Sequence, residues 1–159
     1  MALRVGIGYD IHRVKEGRPL VLGGVRFESS WGLEGHSDAD VLCHAIGDAV
    51  LGALGMGDLG THFPPGDPRW KGVSSLDLRE RIRTLLKDRG ASVVNVDATL
   101  VAEEPKLGPQ RERMRANVAQ SLRLAVGQVS LKATTSERLD AFGQLQGIAA
   151  WAVAMVEVE

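Results

Sequence analysis

The feature that most constrains this chain is an alternation, along its length, between segments with a strand period and segments with a helix period. Apolar and polar residues alternate over residues 4–12 and 94–102, which predicts strands. Three other segments repeat their apolar residues every three or four positions, as helices with one buried face do. Helices interleaved with strands predict an α/β fold of the α+β sandwich type, in which the helices pack on one face of a mixed sheet.

The predicted sheet has about four main strands and a small hairpin beside it. The main strands are predicted at residues 4–12, 94–102, 129–133 and 148–158. Residues 19–22 and 25–27 flank Gly23-Gly24, and a glycine pair between two short apolar runs is typical of a tight hairpin turn. The sheet is therefore mostly built from segments that are far apart in the chain.

The first predicted helix is the one that carries polar residues of interest. Ser37 is predicted to cap it, with Asp40 returning the bond as in a capping box, and the glycines around Gly55 end it. Its predicted buried stripe consists of Leu42, Ala45, Ile46, Ala49 and Ala53. His44 and Asp48 lie four residues apart and off that stripe.

Two further helices follow a segment without periodicity. Residues 58–73 are rich in proline and glycine, which predicts a loop. The second helix is predicted from a cap at Ser74 or Ser75 to Gly90, and the third opens at Pro109. Their predicted buried residues are Leu78, Ile82, Leu85 and Leu86 in the second helix, and Met114, Val118 and Leu122 in the third.

Length, charge and cysteine content narrow the class of protein. A chain of 159 residues with 44% hydrophobic residues predicts a single domain, residues 1–159. A net charge of -1 disfavours extended binding to nucleic acid or to a membrane surface. Cys43 has no partner for an internal disulfide, and no leader or spanning segment is evident, so we expect a cytoplasmic protein. Few aromatic residues make oligomer formation a reasonable way to bury more surface.

Three residues are candidates for a metal site. Asp10 and His12 share one face of the first strand, and His44 lies on the polar flank of a helix that should pack on the sheet. One carboxylate and two imidazoles suit a zinc site with an open fourth position, although each could also be an ordinary polar residue. Asp48 could orient the His44 imidazole or be a solvated helix charge.

Two short segments are candidates for phosphate binding. His36 and Ser37 stand near a predicted helix start, where backbone N–H groups favour a phosphate, although capping alone would explain Ser37. The second segment follows a strand end and consists of Thr134, Thr135, Ser136 and Glu137. Its hydroxyls can bond phosphate oxygens and its carboxylate can hold Mg²⁺, or the segment can simply form a turn.

Several motifs, taken together, resemble one enzyme family. They are Gly8-Tyr9-Asp10-Ile11-His12, Gly35-His36-Ser37-Asp38-Ala39-Asp40-Val41 with His44 and Asp48, Gly57-Asp58-Leu59-Gly60-Thr61-His62-Phe63-Pro64, Pro105-Lys106, and Lys132-Ala133-Thr134-Thr135-Ser136-Glu137. In order and spacing they resemble 2-C-methyl-D-erythritol 2,4-cyclodiphosphate synthases of the non-mevalonate isoprenoid pathway. The resemblance covers nearly the whole chain.

The resemblance implies two metal ions and two residues that act in catalysis. It implies zinc at Asp10, His12 and His44. A second divalent cation, Mg²⁺ or Mn²⁺, would be held by Glu137 together with the substrate phosphates. His36 and Thr135 are implied to stabilise the transition state.

The resemblance also implies where the substrate lies. Near the metal and the erythritol part, the implied contacts are Asp10, Ile11, His12, His36, Ser37, Asp58, Leu59 and Gly60. A phosphate-facing loop would contribute Phe63, Pro64, Pro65, Gly66 and Asp67. The cytidine diphosphate would be surrounded by Ala102, Glu103, Glu104, Pro105, Lys106, Leu107 and Gly108, and by Ala133, Thr134, Thr135, Ser136 and Glu137.

The implied reaction is a cyclisation in which the 2-phosphate of the substrate attacks its own β-phosphorus and cytidine monophosphate leaves. The family is a homotrimer with active sites between subunits and with the sheets facing the threefold axis. Two alternatives stay open on the residues alone. They are a metal-dependent nucleotide diphosphate hydrolase and a trimeric nucleotide-binding module with a structural metal.

The chain departs from the family pattern at two places. Gln144 and Gln146 stand where relatives have an arginine and a glutamate, so Gln144 has no charge with which to contact the phosphate of an isoprenoid diphosphate in the central cavity. Pro65-Gly66 replaces the common Asp-Thr of the phosphate-facing loop. Neither change touches a predicted metal ligand.

Overall fold

The predicted strands and helices form around a mixed sheet. A computed structural model describes residues 1–64, 66–70 and 75–159. The strands are β1 (Ala2–Glu16), β2 (Leu20–Leu22), β3 (Val25–Phe27), β4 (Trp31–Leu33), β5 (Ala91–Val101), β6 (Val129–Thr134) and β7 (Gly147–Val158). The helices are α1 (Val41–Ala53), α2 (Leu59–His62), α3 (Ser75–Asp88) and α4 (Arg111–Leu122). No helix in the described ranges is long and apolar enough to cross a bilayer.

The main sheet has five strands in the order β4-β1-β7-β5-β6. β5 and β6 pair in parallel, and every other neighbouring pair is antiparallel, which confirms the predicted mixed sheet. β2 and β3 form the separate hairpin that Gly23-Gly24 predicted. β4 was not predicted, because three residues are too few to show a period and its pairing with Val14–Glu16 is set by contacts distant in the chain.

The helices pack on one face of this sheet, as predicted. The predicted stripe of α1 is buried along its whole length, and so are the apolar residues predicted for α3 and α4. α3 begins with Ser75 as its first helical residue, and Ser74, the other predicted cap, lies outside the described residues. A short 3-10 turn at Gly108–Gln110 precedes α4, so Pro109 opens that turn rather than the helix itself.

The predicted Ser37 cap of the first helix is wrong. Asp40 is the N-cap of α1, and its fully buried carboxylate accepts hydrogen bonds from the backbone N–H groups of Gly23, Gly24 and Cys43. The Ser37 hydroxyl instead accepts from the N–H of Ala39 at 3.2 Å. The hairpin amides, which come from another part of the chain, give Asp40 partners that the local capping pattern could not show.

The segment predicted as a featureless loop, residues 58–73, contains a turn of helix. Asp58 caps α2, because its Oδ1 accepts from both the N–H and the hydroxyl of Thr61 at 2.8 Å. A 3-10 turn follows at Pro68–Trp70. A single turn of helix is too short to produce a hydrophobic period, so only its capping residue could have indicated it.

Two glycines of β1 allow α1 to lie directly on the strand. A Cβ atom built on Gly8 would stand 1.8 Å from the carbonyl oxygen of Ala45, and one built on Gly6 would stand 2.0 Å from that of Ala49. Backbone therefore rests on backbone, with no side chain between the two elements. This contact sets the distance between α1 and the polar end of β1.

We expect Gly8→Ala to destabilise the protein by about 2–3 kcal/mol, because the added methyl group must push α1 away from β1. Alanine in a strand is otherwise slightly better than glycine, so a destabilisation of this size reports the contact itself. Urea unfolding measures it. Gly127→Ala is the matched control, since no atom lies within 4 Å of its added Cβ; equal stability of the two variants would contradict the prediction.

The opposite face of the sheet is apolar and exposed. Ile7 is 71% exposed, Val5 62% and Val153 43%. On the same face, the rings of Tyr9 and Trp151 contact each other with centroids 4.7 Å apart. A face of this kind on a sheet whose other side is covered by helices is typical of a protein–protein interface.

Candidate functional site

The helix-facing side of β1 carries Asp10 and His12, and α1 carries His44. The structure brings the three side chains together, as predicted. Asp10 Oδ2 lies 2.8 Å from His12 Nε2 and 3.1 Å from His44 Nδ1, and the two ring nitrogens are 3.3 Å apart. In the described part of the chain this is the group of acidic, histidine and cysteine side chains that could hold a metal ion. Three mutually adjacent ligand atoms form one face of a potential coordination tetrahedron.

The spacing of the three atoms suits zinc. Zinc–nitrogen and zinc–oxygen bonds of about 2.0–2.1 Å place neighbouring ligands about 3.3 Å apart in a tetrahedron. The observed separations of 2.8–3.3 Å are close to that edge length. Three protein ligands leave a fourth position for water or substrate, which is the arrangement of catalytic rather than structural zinc sites.

The far nitrogen of each imidazole is held by a neighbour. His12 Nδ1 donates to the backbone carbonyl of Glu34 at 2.6 Å, which leaves Nε2 as the lone-pair atom that faces the cluster. His44 Nε2 contacts the Ser37 hydroxyl at 3.3 Å. Asp48, predicted either to orient His44 or to stand in solvent, is half-buried, and its Oδ1 accepts from the N–H of Leu59 at 2.8 Å.

The electrostatics of the cluster keep Asp10 in the ionised form that a metal ligand needs. Burial by itself raises the pKa of Asp10, but hydrogen bonds and charge interactions with His12 and His44 outweigh it and lower the pKa to about 2. Burial likewise lowers the pKa of His12, but the bond to Asp10 outweighs it and the pKa is raised. The carboxylate is thus ionised and ready to bind a cation at any ordinary pH.

The cluster of Asp10, His12 and His44, the metal cluster, opens into a cavity of about 690 Å³. Its lining includes Asp10, His12, His36, Ser37, Leu59, Gly60, Phe63, Pro64, Gly66 and Asp67, all of which were predicted to contact substrate. His44, Asp48, Pro68 and Leu78 line it as well. A cavity of this volume has the size typical of small-molecule sites.

Some predicted site residues lie elsewhere. Ile11 is 47% exposed on the opposite, apolar face of the sheet, since side chains alternate along β1. Asp58 is exposed and caps α2 beside the cavity. Pro65 lies outside the described residues. Pro68 and Leu78 were not among the predicted contacts, because the helical period of Leu78 pointed to the core and Pro68 carries no polar group.

The segments predicted to surround cytidine diphosphate form a second cluster. Ala102–Gly108 follows β5 and Ala133–Glu137 ends β6, and these strands pair in parallel, so both segments emerge at the same sheet edge. The N–H of Ala102 donates to the carbonyl of Thr134, and the N–H of Arg138 donates to the Glu103 carboxylate. In the described part of the chain, neither segment lines the metal cavity.

The two clusters stand apart within one chain. β1, which carries Asp10 and His12, is separated from β6 by β7 and β5. Three strand spacings amount to about 14 Å. A substrate that touched both clusters of the same chain would have to reach across the sheet.

Comparisons with known proteins agree on one family. A profile described as the YgbB family matches residues 3–157. The 2-C-methyl-D-erythritol 2,4-cyclodiphosphate synthase of Acaryochloris marina is 54% identical over 155 residues, which cover 98% of this chain and 96% of that protein. The enzyme of the same name from Symbiobacterium thermophilum is 55% identical over 152 residues, covering 96% of this chain and 97% of that protein.

A solved structure shows the same fold. It is a 2C-methyl-D-erythritol-2,4-cyclodiphosphate synthase in its CDP-bound form, with a TM-score of 0.88 and 40% sequence identity. The similarity covers 97% of this chain and 100% of that one.

Proposed function

Because this chain belongs to the 2-C-methyl-D-erythritol 2,4-cyclodiphosphate synthase family, we propose that it is a cyclising phosphorus–oxygen lyase of isoprenoid precursor biosynthesis. It converts 4-diphosphocytidyl-2-C-methyl-D-erythritol 2-phosphate to 2-C-methyl-D-erythritol 2,4-cyclodiphosphate and releases cytidine monophosphate. The observation that carries this proposal is the three-ligand cluster that opens into a cavity lined by His36 and Ser37. The proposal places this reaction in a single domain, residues 1–159, that acts in the cytoplasm.

Zinc is the metal that suits Asp10, His12 and His44, given two imidazoles, one carboxylate and their near-tetrahedral spacing. When bound there, zinc would polarise a phosphate oxygen and neutralise part of the charge that develops on it. The residues around it hold the substrate. His36 and Ser37 line the same cavity and are proposed to bind phosphate. Asp58 and Gly60 are proposed to bind the erythritol part.

The reaction needs no nucleophile from the protein. An oxygen of the 2-phosphate forms a bond to the β-phosphorus, and the bond from that phosphorus to the cytidine monophosphate oxygen breaks. Cytidine monophosphate leaves with the bonding electron pair, so atoms and charge balance within the substrate. The protein contributes by alignment and by charge stabilisation, for which His36 and Thr135 are the proposed residues.

Phosphorus NMR of the reaction mixture tests the proposed function. Incubation with the full substrate should give a cyclic diphosphate and cytidine monophosphate. A second substrate without the 2-phosphate lacks the phosphate nucleophile and cannot give the cyclic diphosphate. The alternative, a metal-dependent nucleotide diphosphate hydrolase, would cleave both compounds and give only open-chain phosphates, and that result would overturn the proposal.

A second divalent cation is proposed at Glu137, together with the substrate phosphates. Glu137 is exposed just after β6 and lies in the left-handed region at φ 51°, in a turn where its carboxylate contacts the Thr135 hydroxyl at 3.4 Å. A lone carboxylate beside phosphates suits Mg²⁺ or Mn²⁺ rather than zinc. The proposed cation would therefore arrive with the nucleotide.

Glu137→Gln should keep the zinc content of the protein and lose most of its Mg²⁺-dependent turnover, by about 10- to 100-fold, because the amide is a weaker ligand for a hard cation. A Mg²⁺ titration of the rate measures this. Glu28→Gln, at an exposed position on the hairpin side, is the control. A Glu137→Gln rate that follows the wild-type Mg²⁺ curve would remove the second cation from Glu137.

We further propose a homotrimer whose sheets face the threefold axis and whose active sites lie between subunits. Two features support it. The apolar sheet face that carries Ile7, Tyr9 and Trp151 is exposed in the single chain, and the metal and nucleotide clusters of one chain lie three strand spacings apart. A neighbouring chain that supplied Ala133–Glu137 and Ala102–Gly108 would complete the site and cover the apolar face.

A further inference from the structure

Arg18 binds the backbone of the segment that carries His36 and Ser37. Its Nη1 donates to the carbonyl of Gly35 and its Nη2 to the carbonyl of Ser37, each at 3.0 Å. The two carbonyls flank His36 on either side. A planar guanidinium has the fork geometry for such a paired contact, which a lysine could not reproduce.

The guanidinium is committed to these two bonds. In the described part of the chain its Nε–H is buried without a hydrogen-bond partner. An unpaired buried donor is costly, so the two Nη contacts are what hold the side chain in this position. From the other side, His12 Nδ1 fixes the carbonyl of Glu34 at 2.6 Å. Contacts to the carbonyls of Glu34, Gly35 and Ser37 thus hold this segment.

The carbonyl contacts determine where the amide groups point. In a trans peptide the C=O and the following N–H point in opposite directions. The peptide N–H groups of His36 and Asp38 therefore point away from Arg18. Over the described residues, the N–H groups of His36, Ser37 and Asp38 donate to no acceptor, whereas those of Ala39 and Asp40 do. Successive free amides of this kind attract an anion.

We propose that Arg18 is a positioning residue, which presents the amides of residues 36–38 to a phosphate of the substrate in the cavity that His36 and Ser37 line. Arg18 acts through these amides and is not itself among the described residues that line the cavity. That the phosphate belongs to the substrate rests on the proposed function. That Arg18 orients the amides does not.

Arg18→Met removes both donors and keeps an unbranched stem, so it should raise the KM for the substrate about tenfold and lower kcat less. Zinc content should stay at its wild-type value, whereas the unfolding temperature should fall, because two backbone carbonyls lose their partner. Arg18→Lys keeps the charge without the fork and should recover only part of the affinity. Arg26→Met, at an exposed position in β3, is the matched control and should leave KM unchanged.

Amide NMR with inorganic phosphate separates this inference from the proposed function. In the zinc-loaded wild type, the N–H signals of residues 36–38 should shift on titration with phosphate, and Arg18→Met should weaken that binding about tenfold. Equal phosphate affinity in both proteins would overturn the role of Arg18, even if the cyclisation is confirmed. A fall in zinc content in both Arg18 variants would also overturn it, because Arg18 would then act on the metal site. If Arg18→Met does not fold, the comparison of wild type with Arg18→Lys decides the question in the same way.

Discussion

Replacement of His12 or His44 by alanine should leave the protein folded, almost free of zinc and about 1,000-fold slower. Each imidazole supplies one of three ligand atoms that lie within 3.3 Å of one another, and two remaining ligands hold zinc weakly. Loss of the metal removes several kcal/mol of charge stabilisation in the transition state, and each 1.4 kcal/mol is about tenfold in rate. Elemental analysis after removal of adventitious metal and a kinetic assay of cytidine monophosphate release measure the two effects.

His62→Ala is the matched control for these variants. His62 is also half-buried, but its Nε2 bonds the carbonyl of Met56 at 2.9 Å, and it is not one of the three clustered residues. It should keep its zinc. Wild-type zinc content in both His12→Ala and His44→Ala would show that the cluster is not the zinc site, whatever happens to the rate.

Two inactive chains should restore activity to each other when they are refolded together. His12→Ala disables the metal half of a site and Thr135→Ala the nucleotide half. The chains mix at random in equal amounts. A site between subunits is then intact when its metal half comes from a Thr135→Ala chain and its nucleotide half from a His12→Ala chain. Each condition has a probability of one half, so about a quarter of wild-type activity should return.

The separation of the clusters makes this result discriminating. If each site were formed within one chain, every site in the mixture would carry one damaged half and no activity would return. Each variant refolded alone is the control and should stay inactive. A mass measurement in solution should show three chains, and a fully active monomer would exclude the shared site.

The metal cluster could be proposed from local patterns, which left open that each residue is an ordinary polar one, and the family resemblance decided for it. Asp10 and His12 share a strand face by simple alternation, and His44 lies off an apolar helical stripe. Their convergence, however, depends on Gly6 and Gly8, which let α1 approach β1 to backbone contact. The alternating pattern contained both glycines but could not show what would pack against them, since that depends on a helix more than 30 residues further along the chain.

The errors and omissions have the same origin in contacts between distant segments. Ser37 has the local signature of a cap, but Asp40 takes that role because the hairpin amides of Gly23 and Gly24 also bind its carboxylate. β4 exists only as a partner of β1. Asp48 finds its partner in the N–H of Leu59, beyond the helix on which its spacing to His44 was measured. Periodicity reports which face is buried, not which residue lies opposite.

The contact between α1 and the glycines of β1 bears on how tolerance to substitution in this protein should be interpreted. In a saturation scan scored by growth or activity, Gly6 and Gly8 should be as intolerant as the metal ligands, although neither carries a functional group. A score of that kind would class all of them as active-site residues. Protein abundance separates them, because glycine variants should deplete the folded protein, whereas His12 and His44 variants should accumulate in a folded, metal-poor form.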